Sequence, residues 1–574
     1  MSNKEENFFS NDTFKLPIEY IDNKHLVSQY IKDDLEIEIS RNTEKKAIYY
    51  NLFKPNTELG VLSIPAWGKY YTTNKDFLED SQNIYKNIKH FPFDKQIINN
   101  MLTSWREIHN ETNFMEKYQY IEWNRLKWLN KSSIFLTILS FYNISAPALQ
   151  LIAPIFILIV PFFVLKIMKL PINWNTYYKI LIENLKRHSI GKLFFSFKDA
   201  EMGQKIYILF AVGMYLWNIY QNIISCYRFY KNSYFITSEF ETINTYLEYT
   251  IQKILLFENI IKKHKTYNLF KNKLIEHKEK LINFHTSIKN LPSNNENLGK
   301  IAYIGKLMKL FYILYDDEQI QNMFKYSFGF HGYIDTILGI QENIESKKIN
   351  SCKYKKSITF KLKNMYHPNI DNPVKNNINI NKNIIITGPN AAGKTTTIKA
   401  TVINLLLNQQ IGYGFYDSCQ LSLFDYIHCY LNIPDTCSRD SLFQAEARRC
   451  KNILDTITNN KNKKHFCIFD ELYSGTNPYE AISSAHSYLN YISKYKNVRF
   501  LLTTHFIKLC ELFKKNKNIT NKSMETKIAK NNLPEYCYKI QKGISNIKGG
   551  VSVLKILNYP DKIINNTIDI LETL

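Results

Sequence analysis

Gly388-Pro389-Asn390-Ala391-Ala392-Gly393-Lys394-Thr395 decides how the second half of this chain is read. The apolar run Ile384-Ile385-Ile386-Thr387 precedes it, and Thr396 to Leu407 can continue as a helix. Strand, glycine loop and helix thus follow one another in the pattern G-x-x-x-x-G-K-[ST]. Gly388 and Gly393 let backbone N–H groups turn inward around phosphate oxygens, and the helix N-terminus behind them adds partial positive charge. Lys394 reaches the β- and γ-phosphates as a point charge, and the Thr395 hydroxyl is placed to ligate Mg²⁺. A chance glycine turn is the plainer alternative, and the strand and helix on either side argue against it.

Three further stretches extend this constellation. In His465-Phe466-Cys467-Ile468-Phe469-Asp470-Glu471, an apolar strand ends in two acids. Asp470 is suited to hold Mg²⁺ and Glu471 to polarise an attacking water. Phe500-Leu501-Leu502-Thr503-Thr504 is another strand, ending in His505, which can touch a γ-phosphate and report its loss. A lone histidine is more often structural; its place at a strand end in this series favours function. In Asp440-Ser441-Leu442-Phe443-Gln444-Ala445-Glu446, Ser441 can simply cap its own helix. The same geometry can also present backbone N–H groups to a phosphate.

Together these motifs resemble the ATPase domain of the MutS family. Ile386 to Asn390 matches the family's run into the phosphate loop, and Ser441, Phe443 and Glu446 match its signature serine segment. Asp470, Glu471, Gly475 and Thr476 match its acid pair and switch, Thr504-His505 its Thr-His, and His367-Pro368 the dipeptide before the domain. Lys542-Gly543, Gly549-Gly550, Tyr559-Pro560 and the last helix to Leu574 resemble its tail. The resemblance runs from about Gly332 to the end.

It implies an ATP-hydrolysing α/β P-loop NTPase of the ABC/MutS type that uses ATP and Mg²⁺. Gly388, Pro389, Asn390, Ala391, Ala392, Gly393, Lys394, Thr395 and Thr396 would hold the nucleotide, and Thr395 and Asp470 the metal. Glu471, His505 and Lys394 would carry catalysis. It also implies pairing through this domain, as a homodimer or a heterodimer, with Ser441 reaching the nucleotide on the partner's Lys394. A helical clamp on DNA and a role in mismatch repair or recombination belong to the same expectation.

This sequence departs from the family in several places. Ala391 stands where Met is usual, and Thr395 where Ser is usual. No aromatic residue lies between Asn369 and Asn383 to stack on adenine, Tyr366 being the nearest. Phe77-Leu78-Glu79 and Phe114-Met115-Glu116 both fit the Phe-x-Glu wedge of mismatch readers, without its flanking pattern.

With 574 residues, several domains are expected. The multidomain reading places a mostly helical domain at 1–130, a hydrophobic segment at 131–230, a helical lever region at 231–345, the ATPase domain at 346–540 and a dimerisation tail at 541–574. Lys and Arg number 74 against 51 Asp and Glu, a net +23 that favours nucleic acid or an acidic membrane surface. The abundance of Lys, Asn and Ile throughout gives part of that bias a plainer origin. Nine cysteines without a C-x-x-C pair, and a polar N-terminus, indicate a reducing, intracellular setting, cytoplasmic or nuclear.

Two runs, 132–165 and 206–227, carry no charge and reach the roughly 20 residues that cross a bilayer. Pro147, Pro154 and Pro161 would kink the first. A membrane hairpin or a pair of core helices both fit; the alternative function is therefore a membrane-associated MutS-like ATPase without mismatch recognition. Pro65-Ala66-Trp67-Gly68 reads as a turn, and Asp76 to Ile88 as a helix. Phe240, Ile243, Leu247, Ile254, Phe257 and Ile261 fall on an a/d spacing, interrupted by Thr250, as in a long packed helix.

Overall fold

In the computed structural model, the described residues are 13–41, 44–167, 169, 173–187, 189–195, 197–289, 300–431, 441–528, 534–545 and 550–573. They form two compact units, each assembled from separate stretches of chain. One comprises residues 1–95, 253–276 and 325–574, and the other 96–252 and 277–324. The composition boundaries at 130, 230 and 345 do not coincide with these units. Composition reports local texture, whereas long-range packing decides which stretches fold together.

The first unit holds all the sheets among the described residues. Near its start β1 (Lys24–Leu26) pairs antiparallel with β2 (Tyr70–Thr72). The turn expected at 65–68 comes later, because Pro65 lies within the helix Glu58–Trp67 and the chain turns at Gly68. The Glu38 carboxylate approaches Gly68 closely, so a side chain there would have to displace it. The helix expected over 76–88 is Lys75–Asn87, capped by the Asn74 side chain on Phe77 N–H.

Two larger sheets follow. One has the order β5 (Asn376–Asn379), β4 (Phe360–Met365), β8 (Ser418–Leu421), β3 (Asn350–Tyr354), β7 (Tyr413–Gly414). The other has β13 (Pro534–Lys542), β12 (Ile519–Ile528), β6 (Asn383–Thr387), β11 (Val498–Thr504), β10 (His465–Asp470), β9 (Tyr426–Tyr430). In this second sheet all pairings are parallel except β12 with β13. Ile384 to Thr387 are paired on both sides and fully buried, which explains the unbroken apolar run. Cys467 and Phe469 of β10 and Phe500 and Leu502 of β11 share a core with the helices Leu442–Asn459 and Pro478–Ile492. The parallel order puts the C-terminal ends of β6, β10 and β11 side by side, where loops and helix starts gather.

The N-terminal stretch is part of this unit. Gln410 Nε2 donates to the carbonyls of Trp67 and Tyr70, and Gln409 Nε2 to that of Thr72. Tyr49 Oη donates to Gln410 Oε1 at 2.7 Å. Burying these amides is tolerable only because backbone and side-chain partners satisfy them.

The second unit is helical. Its apolar runs lie in the helices Ser133–Ile167, wholly in this unit, and Met202–Ile261, which belongs to it up to Gln252. The three prolines leave Ser133–Ile167 a single helix. Its first turns pack on the helix Lys300–Asp316, where a Cβ on Gly305 would lie 2.2 Å from the Ser133 carbonyl oxygen. Among the described residues, one stretch, Ser133–Ile152, is long and apolar enough to cross a membrane by length and composition. The a/d residues of Met202–Ile261 are all buried, and so is Thr250. Asp440, Gly549 and Leu574 lie outside the described residues.

Phe77 stacks on Tyr267 at 5.3 Å in the first unit, and Phe114 on Tyr315 at 3.7 Å in the second. Both rings are buried in their units. Neither Phe-x-Glu triplet presents a ring at the surface, because its Phe belongs to a hydrophobic core.

Candidate nucleotide site at the strand ends

The loop between β6 and the helix Lys394–Gln410 closes over the end of the sheet. Gly393 has φ +86°, a conformation that favours glycine, and Ala391 has φ +65°, a strained one for alanine. Gly388 and Ala392 are buried behind the loop, while Pro389, Asn390, Ala391 and Gly393 to Thr396 line a cavity of about 760 Å³. Asp470 and Glu471 line the same cavity from the end of β10.

Lys394 is 5 % exposed, and its Nζ donates to the carbonyls of Gly388 at 2.7 Å and Pro389 at 3.2 Å. Burial lowers its pKa. The Thr395 hydroxyl donates to Asp470 Oδ2 at 2.7 Å, and the Thr503 hydroxyl donates to Asp470 Oδ1. Burial raises the Asp470 pKa against the pull of those two hydroxyls. A hydroxyl beside a carboxylate is the hard-oxygen donor set that Mg²⁺ takes alongside water and phosphate.

Glu471 has φ +50°, and its N–H donates to the Thr503 carbonyl at 2.9 Å. That pairing with β11 turns its side chain toward His505, whose Nδ1 lies 3.4 Å from Glu471 Oε1. His505 first, with Lys394 4.0 Å away, holds the Glu471 carboxyl below its ordinary pKa. The arrangement therefore offers an ionised carboxylate next to a buried ammonium, at the mouth of an N–H-rich loop.

Ser441 sits elsewhere. It is an exposed N-cap: its Oγ accepts from Gln444 N–H at 3.3 Å, and its N–H donates to Gln444 Oε1 at 2.9 Å. It is not among the residues lining the cavity. Glu446, one turn on, is buried and accepts from Ser474 N–H, Ser474 Oγ and Gly475 N–H at 3.0–3.1 Å. A Cβ on Gly475 would lie 2.8 Å from Phe443 N, so glycine is needed where the loop after Glu471 meets this helix. The serine segment and the acid pair are thus tied together through Glu446, a contact that spacing alone did not reveal.

The far wall of the cavity comes from Tyr366, His367, Asn376 and Tyr538. Burial lowers the His367 pKa to about 4. Tyr538, on β13, approaches the loop closely: a Cβ on Gly393 would lie 3.0 Å from its Cδ1. Asn376 holds that strand by donating to the Tyr538 carbonyl and accepting from Ile540 N–H, both at 2.8 Å. Sequence reading missed Tyr538. The signal available was an alternating strand with aromatics, Tyr536 and Tyr538, after the Thr-His strand; nothing in it named the cavity.

Comparison with known proteins matches the stretch that carries this site. The family model "MutS domain V" matches residues 384–574. The chain is 29 % identical over 248 residues to the DNA mismatch repair protein MutS of Persephonella marina, covering 42 % of this chain and 28 % of that protein. It is 30 % identical over 238 residues to Endonuclease MutS2 of Finegoldia magna, covering 40 % and 29 %. It is 32 % identical over 210 residues to the DNA mismatch repair protein MSH3 of Debaryomyces hansenii, covering 34 % and 20 %. The match therefore spans less than a third of each of these relatives. The C-terminal domain of this chain belongs to the MutS family.

Proposed function

We propose that the chain is a P-loop ATPase of the MutS type. It binds and hydrolyses ATP with Mg²⁺ at a site completed by a second subunit, and the cycle switches a clamp on DNA. The observation that carries this reading is the convergence of Lys394, Thr395, Asp470 and Glu471 on one cavity, with His505 bonded to Glu471.

In this mechanism the N–H groups from Gly388 to Thr396 surround phosphate oxygens, and Lys394 turns its ammonium from the loop carbonyls to the β- and γ-phosphates. Thr395 and Asp470 would hold Mg²⁺, which would neutralise charge developing on the phosphates. Glu471 accepts a proton from the attacking water, and His505 keeps that carboxylate ionised and oriented. Tyr538 supplies the aromatic face for adenine that residues 369–383 lack. Ser441, exposed at a helix start, is free to complete the site of a paired subunit, identical or related.

The net charge of +23 and the family of the C-terminal domain support DNA as the partner, in an intracellular mismatch-repair or recombination-type role. Recognition of mismatches by an inserted Phe77 or Phe114 is not part of the proposal, since both rings are buried. The test is ATP turnover by the full chain at low salt with no DNA, homoduplex, mismatched duplex or a branched junction. Turnover should change severalfold with at least one of these. A chain that binds no ATP, or whose turnover and retention ignore every DNA, overturns the reading.

A further inference from the structure

In the second unit, two helical shafts carry their polarity the wrong way round for water. Among the described side chains from Phe141 to Ile167 and from Ile206 to Tyr227, many large apolar ones face out. Phe141, Leu151, Phe156, Leu209, Phe210 and Trp217 are each between 54 % and 66 % exposed. Polar side chains fill the seam between the shafts instead. Asn222 Nδ2 donates to Gln150 Oε1, and Tyr215 Oη to the Gln150 carbonyl at 3.1 Å. Asn143 Nδ2 donates to Gln119 Oε1 at 2.6 Å, and Gln119 Nε2 donates to Ser225 Oγ at 3.2 Å. All five of these seam side chains on the shafts, Asn143, Gln150, Tyr215, Asn222 and Ser225, are half-buried.

Water-soluble monomers seldom expose apolar patches beyond a few hundred Å². Helices in a bilayer show this opposite arrangement, with polar groups bonding across helices and apolar groups facing lipid. Ser133–Ile152 does not have the burial of a core helix in this chain, since only 11 % of its apolar window is buried. A protein partner covers one stripe of a helix. Here neighbours such as Phe141 and Tyr142, Leu151 and Ile152, or Leu216 and Trp217 are both exposed, about 100° apart round the axis. An occupant that surrounds the shafts fits that pattern.

Length and charge agree. At 1.5 Å per residue the shafts run about 40 Å and 33 Å, against a hydrocarbon core of about 30 Å. Their connection, residues 166–205, carries eight Lys and Arg against three Asp and Glu. It includes the helices Trp174–Arg187 and Ser189–Phe195, with Trp174 86 % and Phe194 78 % exposed. Basic residues beside exposed aromatics suit an acidic headgroup layer. We infer that the two shafts form a hairpin that inserts into an anionic lipid bilayer, with the basic connection lying among headgroups.

The test is flotation of the full chain with phosphatidylcholine–phosphatidylserine vesicles, washed at low and at high salt, with fluorescent-ATP binding measured on the same preparation. At least about tenfold enrichment in the floating fraction, surviving high salt, is expected. Release by high salt, or a detergent-free chain that stays below as a soluble oligomer, overturns insertion. The outward-facing double substitution Leu151→Glu with Phe210→Glu should abolish flotation and leave ATP binding intact; unchanged flotation overturns the proposal. Brominated acyl chains should quench Trp217, read as the quenched fraction lost in Trp217→Phe, and an unquenched Trp217 equally overturns it. ATP binding reports the nucleotide reading separately, so failure of one does not pass for failure of the other.

Discussion

Thr395 and Asp470 meet at 2.7 Å, joining the first turn of the helix after the phosphate loop to the end of the neighbouring strand system. β6 and β10 are not adjacent; β11 lies between them. The contact exists because Thr503 of β11 grips the other oxygen of Asp470 and aims the carboxylate across its own strand. Two hydroxyls on one half-buried carboxylate fix its orientation before any ligand arrives. Asp470→Asn should therefore remove Mg²⁺-dependent ATP turnover, while Thr503→Val should lower it by loosening the carboxylate. Turnover against Mg²⁺ concentration separates the two: the second variant should need more metal.

Lys394→Ala removes a buried ammonium that serves the loop carbonyls and, on the proposed reading, the phosphates. Charge-assisted hydrogen bonds contribute about 1.5–3 kcal/mol each, so ATP affinity should fall at least about tenfold. Titration with a fluorescent ATP analogue measures it, and unchanged affinity would take Lys394 out of the site.

Glu471→Gln should keep ATP binding and slow hydrolysis by about 10²-fold. The pH dependence has a definite sign. His505 and Lys394 hold the Glu471 carboxyl below its ordinary pKa, so the catalytic carboxylate persists as pH falls and is lost only below that of a free glutamate. His505→Ala removes the largest cause, and the acid limb of kcat against pH should move upward. A limb that stays in place contradicts the pairing.

Tyr538→Ala should weaken adenine nucleotides by about 1–2 kcal/mol, roughly 5–30-fold, the scale of base–aromatic stacking, while Tyr538→Phe stays near wild type. Equal affinity of the alanine variant for ATP would show that the ring borders the cavity without holding the base.

Glu446→Ala leaves Ser474 N–H, Ser474 Oγ–H and Gly475 N–H without their acceptor in a buried place. A cost of about 2–4 kcal/mol follows from unsatisfied donors, visible as a lowered thermal midpoint. Gly475→Ala should act the same way, by collision with Leu442 and Phe443 N. Full stability of both would mean that the tie carries no load.

Acid should destabilise the first unit through buried histidines. Burial pushes His331 and His428 down to about 3 and His367 to about 4. They stay neutral when folded but take a proton when unfolded, below about pH 6.5. Their stabilising contribution is complete above that pH and is lost as pH falls toward 4, by up to about 1.4 kcal/mol per pH unit for each. Urea unfolding at pH 7, 6 and 5 gives the slope, which His331→Gln should flatten.

The strand–loop–helix around Lys394 was legible because every residue it needs lies within one short segment, and a local segment has few ways to fold. The strand ends carrying Asp470, Glu471 and His505 were legible for the same reason: apolar runs stop where polar chemistry starts. Ser441 was legible as a cap, and the cap is what the monomer contains. The a/d row from Phe240 to Ile261 followed from periodicity, which burial enforces directly.

What stayed hidden depends on distance along the chain. Tyr538 reaches Gly393 only because β12 pairs with β6 and brings β13 after it. Phe77 and Phe114 match a surface motif in sequence and are core residues in space, since a triplet says nothing about what packs on it. Residues 1–130 read as a separate mostly helical domain by composition, yet Gln409 and Gln410 bond the backbone of Trp67, Tyr70 and Thr72 within it. The amino-acid sequence by itself determined the strand, glycine loop and helix around Lys394 and the apolarity of two long segments. Only the tertiary structure decided that Asp470 and Glu471 share one cavity with Lys394, with His505 beside Glu471, and that described apolar side chains of those segments face outward around a polar seam. Side-chain type is local, whereas the neighbours that give it a task are set by the packing of the chain.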